Sequence, residues 1–241
     1  LLGLMDDFCY FGMGLINYTC ETWDLDVRAG TPHVSPRKDP TDEELVDQVV
    51  KRLKWIDEHN DGVGFKNWTK FDHPQLGEVE IGGFDYKNVI QNAPPRYIPQ
   101  EVEKHTRFLL REMKTLPHLY FKNTKVTPLG GTHFKIETTI ANSAYLPTYV
   151  TKEALKVGRA QEITAELCGA SVTEGKAKQK IGHLNGFWSK ATYGWGLGGT
   201  TVKRAPAEKK LSWVVEGASG DTVTITCQCP RAGKAVETVT L

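Results

Sequence analysis

The chain has no run approaching the ~20 apolar residues needed to span a bilayer. Its opening, Leu1-Leu2-Gly3-Leu4-Met5, runs at once into Asp6-Asp7 and has no basic residue before it. That is too short and wrongly flanked for a signal-peptide core, and Leu1 is expected to be a truncation point. Charge of one sign is also missing. The net charge is +1, with Lys and Arg scattered among Asp and Glu, so no electrostatic footprint for nucleic acid or an anionic membrane is present. Cysteine is sparse: Cys9, Cys20, Cys168, Cys227 and Cys229. Their odd number and irregular spacing exclude a complete disulfide framework, and most are expected to be small buried hydrophobes. Cys227 and Cys229 stand two apart in an expected strand, so they share a face instead of bridging. Without a second paired ligand set, Cys227-Gln228-Cys229 is not a zinc site. No fixed-period repeat or low-complexity tract occurs.

What is present is ordinary for a soluble globular protein: 241 residues, 39% hydrophobic and 24% charged. That suits one large domain or two smaller ones. The chain divides near Pro117, into residues 1–116 and residues 117–241. Leu15 to Cys20 is a short apolar, β-favouring run after Gly14 and reads as a buried strand running into Glu21. Thr41 and Glu44 form a capping-box pattern. Behind them Leu45, Val46, Val49, Val50, Leu53 and Ile56 make one apolar stripe, and His59-Asn60-Asp61-Gly62 ends the helix. A second helix starts at Pro99, a favoured first position, with Val102, Leu109, Met113 and Leu116 on its expected buried face. Between the helices, Gly62 to Ile98 is either a functional loop or a surface excursion carrying a small hairpin.

After Pro117 the helical period gives way to short alternating segments. They lie at Leu119–Val126, His133–Ala141, Glu162–Leu167, Leu211–Val215, Asp221–Cys227 and Ala235–Leu241. Turns rich in Gly or containing Pro separate them, the pattern of a β-sandwich. Lys152 to Leu155 adds one helical turn. The fold class is therefore α/β followed by all-β.

The residues that suggest chemistry are Thr19-Cys20-Glu21-Thr22-Trp23-Asp24. A buried strand would deliver the Glu21 carboxylate at its C-terminal end, where ligands bind in open α/β sheets, and partial desolvation there would suit it to proton transfer. Other candidates are weaker. Tyr193-Gly194-Trp195-Gly196-Leu197-Gly198-Gly199 lacks the Lys-Ser/Thr of a phosphate-binding loop. Glu78 and Glu80 alternate along a possible strand and read as a solvated hairpin face. Trp188, Trp195 and Trp213 are either core or a sugar- or peptide-binding surface. Asn17-Tyr18-Thr19 and Asn67-Trp68-Thr69 match the glycosylation sequon, the first of them on the expected buried strand.

The segment from Tyr10 to Asp24 resembles the end of the catalytic domain of carboxypeptidase A-like zinc carboxypeptidases, where a central strand ends in a Thr-apolar-Glu-x-x-Asp pattern. His73 to Gly83, the Asn92-Ala93-Pro94-Pro95 turn and the helix from Pro99 resemble a bacterial-type branch of that family. So do two trailing segments, Ala144-Tyr145-Leu146-Pro147-Thr148-Tyr149-Val150 and Ile181-Gly182-His183-Leu184-Asn185-Gly186. The resemblance implies the C-terminal part of a mixed-sheet α/β/α carboxypeptidase domain followed by an Ig-like β-sandwich. It implies Glu21 as general base, opposite a Zn2+ held by two histidines and a glutamate, the ligand set of carboxypeptidase A. It implies peptide or protein C-termini as substrate, and an extracellular or periplasmic location.

The departures are informative. The family's zinc signature is His-x-x-Glu, and none of the seven histidines (His33, His59, His73, His105, His118, His133, His183) has a glutamate three positions later. The ligands are expected upstream of Leu1, so Zn2+ belongs to the full-length parent and these residues alone are expected to be inactive. The rival expectation is a non-enzymatic protein whose β-sandwich binds peptide or glycan.

Overall fold

The structure, a computed structural model, describes residues 3–31, 39–187 and 206–241. They form two compact units, one of Cys20–Leu109 and one of Leu1–Thr19 with Leu110–Leu241. The latter unit begins with α1 (Met5–Asp7), which continues as a wider helical turn over Phe8–Gly12.

The Cys20–Leu109 unit holds α2 (Leu25–Ala29), α3 (Asp42–His59), β1 (Phe65–His73), β2 (Gly77–Phe84) and most of α4 (Ile98–Met113). The predicted capping box is in place. The Thr41 hydroxyl accepts from Glu44 N at 3.2 Å, and the Glu44 carboxylate accepts from Thr41 N at 2.9 Å. Three acidic residues in the first turn, Asp42, Glu43 and Glu44, complement the positive end of the helix dipole. The Gly62–Ile98 stretch carries a hairpin. β1 and β2 pair antiparallel with a register shift between Lys66 and Thr69. In its turn, His73 Nδ1 accepts from both Gln75 N and Leu76 N at 3.2 Å. The core of this unit is small: Leu25, Trp55, Ile56 and Val89 are its buried apolar side chains among the described residues.

Two expectations are corrected. Leu15–Cys20 is not a strand and not buried; its side chains are exposed and no sheet partner joins it among the described residues. Apolar, β-favouring composition permits an extended backbone, but a strand needs a neighbouring ladder to satisfy its N–H and C=O groups. The α4 face is the second. Val102, Leu109, Met113 and Leu116 are 57%, 53%, 62% and 48% exposed. Helical spacing identified the stripe but supplies nothing to lay against it.

The other unit is dominated by antiparallel strands: β3 (Leu119–Gly130), β4 (His133–Asn142), β5 (Thr164–Cys168), β6 (Ser171–Glu174), β7 (Lys178–Lys180), β8 (Glu208–Glu216), β9 (Thr222–Cys229) and β10 (Gly233–Thr240). A single turn of helix, α5 (Lys152–Lys156), interrupts them. They make two four-stranded sheets, ordered β3-β4-β8-β6 and β10-β9-β5-β7. One apolar cluster draws on both, with Ile136, Ile140, Trp213 and Val215 from the first and Ala165, Leu167, Val223 and Ile225 from the second. The period-2 alternation of β8 and β9 puts every second side chain into that core. The chain is thus mixed helix and strand first and β-rich afterwards.

The N-terminal segment of this unit is fastened at Gly14. Its carbonyl accepts from Thr151 Oγ1 and from the Arg231 guanidinium, each at 2.8 Å. Gly14 has φ +62°, and a Cβ on it would lie 2.3 Å from Ala154 Cα, so only glycine fits. Of the five cysteines, Cys227 and Cys229 are buried, while Cys20 and Cys168 are exposed and Cys9 is intermediate. Small size did not suffice to bury most of them.

Candidate functional site

Glu21 is exposed and lies in no regular element, so the desolvation of a buried strand end is missing. The residues just after it are anchored. Trp23 Nε1 donates to Val89 O at 2.8 Å, and its ring meets Trp55 at 5.8 Å and Tyr97 at 5.7 Å. The Arg28 guanidinium stands over both Trp23, at 4.7 Å, and Tyr97, at 5.1 Å. Asp24 caps α2, its Oδ1 accepting from Val27 N at 3.0 Å. The final Asp of the Thr-apolar-Glu-x-x-Asp pattern therefore has a local structural task.

Thr22, next to Glu21, lines an open groove of about 330 Å³ along α4, with Ile98, Val102, His105 and Leu109 on its wall. Glu21 itself is not on that wall. Glu101 also lines it, bonded to Arg28 and to Lys104. Burial works against the Glu101 charge, but the bonds from Lys104 and Arg28 outweigh it and hold its carboxyl below the usual range. The groove can accept an apolar side chain beside a fixed negative charge already neutralised by two cations. Nearby, Arg52 clamps Asp26 bidentately at 2.6 and 2.7 Å, which lowers the Asp26 pKa.

The two trailing segments of the resemblance meet in the strand-rich unit. Thr148 N donates to Leu184 O at 2.9 Å and Leu184 N donates back to Thr148 Oγ1 at 3.0 Å. Thr148 Oγ1 also lies 3.4 Å from His183 Nδ1, and Tyr149 OH donates to Asn185 Oδ1 at 3.2 Å. Asn142 donates to Leu146 O at 2.8 Å and to Asn185 O at 3.3 Å. Burial pushes the His183 pKa down, partly opposed by Glu162. Thr148 is fully buried, so its hydroxyl braces two loops and is closed to substrate. Gly186 completes the brace, since a Cβ there would fall 2.3 Å from Tyr145 O. Val150 adopts φ +65°, a conformation costing roughly 1–2 kcal/mol for a residue bearing a Cβ. Both segments stand out in the sequence, but nothing in it records that they meet. The one visible signal was polar residues (Thr148, His183, Asn185) set among apolar neighbours.

The remaining candidates fall into place. Trp213 is 1% exposed and donates to Lys176 O at 2.9 Å, so it is core. Glu78 and Glu80 are exposed, Glu78 paired with Lys70 at 2.8 Å, as a solvated hairpin face. Both sequon asparagines, Asn17 and Asn67, are exposed, which reverses the expected burial of Asn17. The Cys227 thiol is pushed up to about 12 by burial, which makes it unreactive at neutral pH. His33, Trp188, Trp195 and the 193–199 glycine segment lie outside the described residues. Among the described residues, no three His, Cys, Asp or Glu side chains converge as metal ligands, and no helix is long and apolar enough to cross a membrane.

The family model described as "Domain of unknown function (DUF8731)" matches residues 118–240, just over half of the chain. The chain belongs to this family. The DUF8731 region corresponds to the two four-stranded sheets and their connections. No curated protein matches the chain. Among solved structures, it is similar to the archaellum periplasmic stator protein FlaG from Sulfolobus acidocaldarius, at 11% identity and TM-score 0.26, covering 52% of this chain and 100% of that one. It is also similar to a GH3 beta-glucosidase from Bifidobacterium adolescentis, at 11% identity and TM-score 0.23, covering 52% of this chain and 17% of that one. DesR, a beta-glucosidase from Streptomyces venezuelae, gives 13% identity and TM-score 0.21, with 52% and 15% covered. The matched region spans under a fifth of either glucosidase.

Proposed function

We propose that the chain is the C-terminal part of a zinc metallocarboxypeptidase, hydrolysing C-terminal residues of peptides, with an Ig-like sandwich as its DUF8731 region. The observation that carries the reading is the setting of Glu21. Its carboxylate is exposed, the residues Trp23 and Asp24 behind it are anchored, and its neighbour Thr22 lines an apolar groove. A proton-accepting carboxylate needs that combination of access and a fixed mount. The described residues do not fit a catalytic zinc: no ligand set converges among them. In this reading the metal is held by residues outside these 241, and the part of the chain in hand contributes Glu21 alone. The test is Glu21→Gln in the full-length protein, with hydrolysis of C-terminal residues and zinc content measured together. Loss of turnover by two or more orders of magnitude, with zinc and KM retained, is expected for a general base. Full activity in Glu21→Gln would refute the assignment.

A second reading, favoured by the exposed Tyr145–Phe187 ring pair at 6.0 Å, is a non-catalytic protein that binds peptide or glycan through its strand-rich unit. A metal-free full-length protein that binds either ligand would select it.

A further inference from the structure

The hairpin of β1 and β2 carries a built irregularity. Lys66 pairs with Gly83 and Thr69 with Ile81, so Asn67 and Trp68 together stand opposite Gly82, the two-against-one count of a β-bulge. The single position needs glycine. A Cβ on Gly82 would lie 2.7 Å from Trp68 Cα and 3.0 Å from Asn67 C. The bulge lifts its residues out of the regular ladder, and both Asn67 and Trp68 are exposed.

Those two residues open Asn67-Trp68-Thr69, an Asn-x-Thr sequence of the kind at which an oligosaccharide is attached to asparagine. The Asn67 side-chain amide makes no hydrogen bond among the described residues, and Thr69 Oγ1 reaches Ile81 O at 3.5 Å, the limit for a bond. The matching sequence at Asn17 is more firmly held. Both residues after it donate to carboxylates, Tyr18 OH to Glu112 at 2.6 Å and Thr19 Oγ1 to Asp6 at 3.4 Å. Space for a sugar also lies beside Asn67. Asn67 and Thr69 line an open hollow of about 710 Å³ together with Gly82, Gly83 and Tyr86. Bare glycine backbone and the exposed Tyr86 ring suit the apolar face of a pyranose.

We propose that Asn67 is an N-glycosylation site. The donor class is an oligosaccharide carried on a lipid pyrophosphate. Asn67 Nδ2 forms a bond to the anomeric carbon of the first sugar, the C–O bond to phosphate breaks with its electron pair, and one amide proton is released. The proposal is independent of the carboxypeptidase reading and uses none of its residues.

Mass spectrometry of the protein isolated from its own source tests it. The proteolytic peptide carrying Asn67 exceeds its sequence mass by a glycan, and fragmentation sheds sugar units from it. The peptide carrying Asn17 has its sequence mass. Asn67→Gln and Thr69→Ala each abolish the addition, whereas Thr69→Ser keeps it. The far-UV spectrum is unchanged in all three, because both positions are exposed. Three outcomes each overturn the proposal: an Asn67 peptide at its sequence mass, a glycan that survives Asn67→Gln, or a glycan carried at Asn17 instead.

Discussion

In the strand-rich unit, Ile136, Ile140, Trp213, Val215, Val223 and Ile225 are all 1% exposed or less. In the Cys20–Leu109 unit, Val46, Val50, Val102 and Leu109 are more than half exposed although each lies on a regular helical stripe. The contrast concerns who supplies the partner surface. Each sheet of the strand-rich unit carries one apolar face, and the two faces meet each other, so the unit is closed by its own sequence. A helix has one stripe and needs something else to lie against it. Every Val or Leu left open forgoes about 1.5–3 kcal/mol of burial. A core of Leu25, Trp55, Ile56 and Val89 is small for the roughly 90 residues it must order.

The contrast can be broken most sharply by emptying each core in turn. Trp213→Ala is expected to cost the strand-rich unit about 3–5 kcal/mol, the range for deleting a buried large aromatic. Ile56→Ala is expected to cost the other unit about 2–5 kcal/mol. Urea unfolding followed by tryptophan fluorescence and by amide exchange should show two transitions, the Cys20–Leu109 unit melting first. Ile56→Ala should move that early transition alone. A single transition shifted equally by both changes would erase the distinction between the units.

A smaller effect comes from Asp26. Its paired carboxyl has a folded pKa below the unfolded value, so its contribution is complete above about pH 4 and fades as pH falls through the lower folded value. Asp26→Asn should cost the Cys20–Leu109 unit about 1–3 kcal/mol at pH 7, as expected for a charge-assisted bond. The gap between variant and parent should close in acid. An Asp26→Asn penalty that persists undiminished at pH 2 would assign it to packing instead. The smallest effect is the cap: Thr41→Ala should remove about 1 kcal/mol, read as faster exchange confined to the first turn of α3.

Local signals in the sequence were reliable where the structure depends on local physics. Thr41 and Glu44 marked the start of α3, and His59-Asn60-Asp61-Gly62 its end. The alternating runs marked β3, β4, β5, β8, β9 and β10, because a half-buried strand must alternate wherever one face meets a core. β6 and β7 escaped notice, being four and three residues long and too short to display a period. The failures were all non-local. Among the described residues, Leu15–Cys20 has strand composition but no strand beside it, and the α4 stripe has helix spacing but stays exposed. The sequence pattern singles out Glu21 and Asp24, and Asp24 proves to be the cap of α2. The groove along α4 and the Thr148–His183–Asn185 brace join residues far apart in the chain, and composition does not record which distant segments touch.

The fastening at Gly14 has a consequence for synthesis. Arg231 binds the Gly14 carbonyl across 217 positions of sequence. A growing chain presents Arg231 only after everything between it and Gly14 has emerged, so this closure waits for the whole of the intervening sequence. Until then Phe8 and Phe11, 61% and 60% exposed even in the finished fold, hang on a segment that has at most its Thr151 bond at Gly14. The interval between the emergence of Gly14 and that of Arg231 is when this segment is most open to wrong contacts.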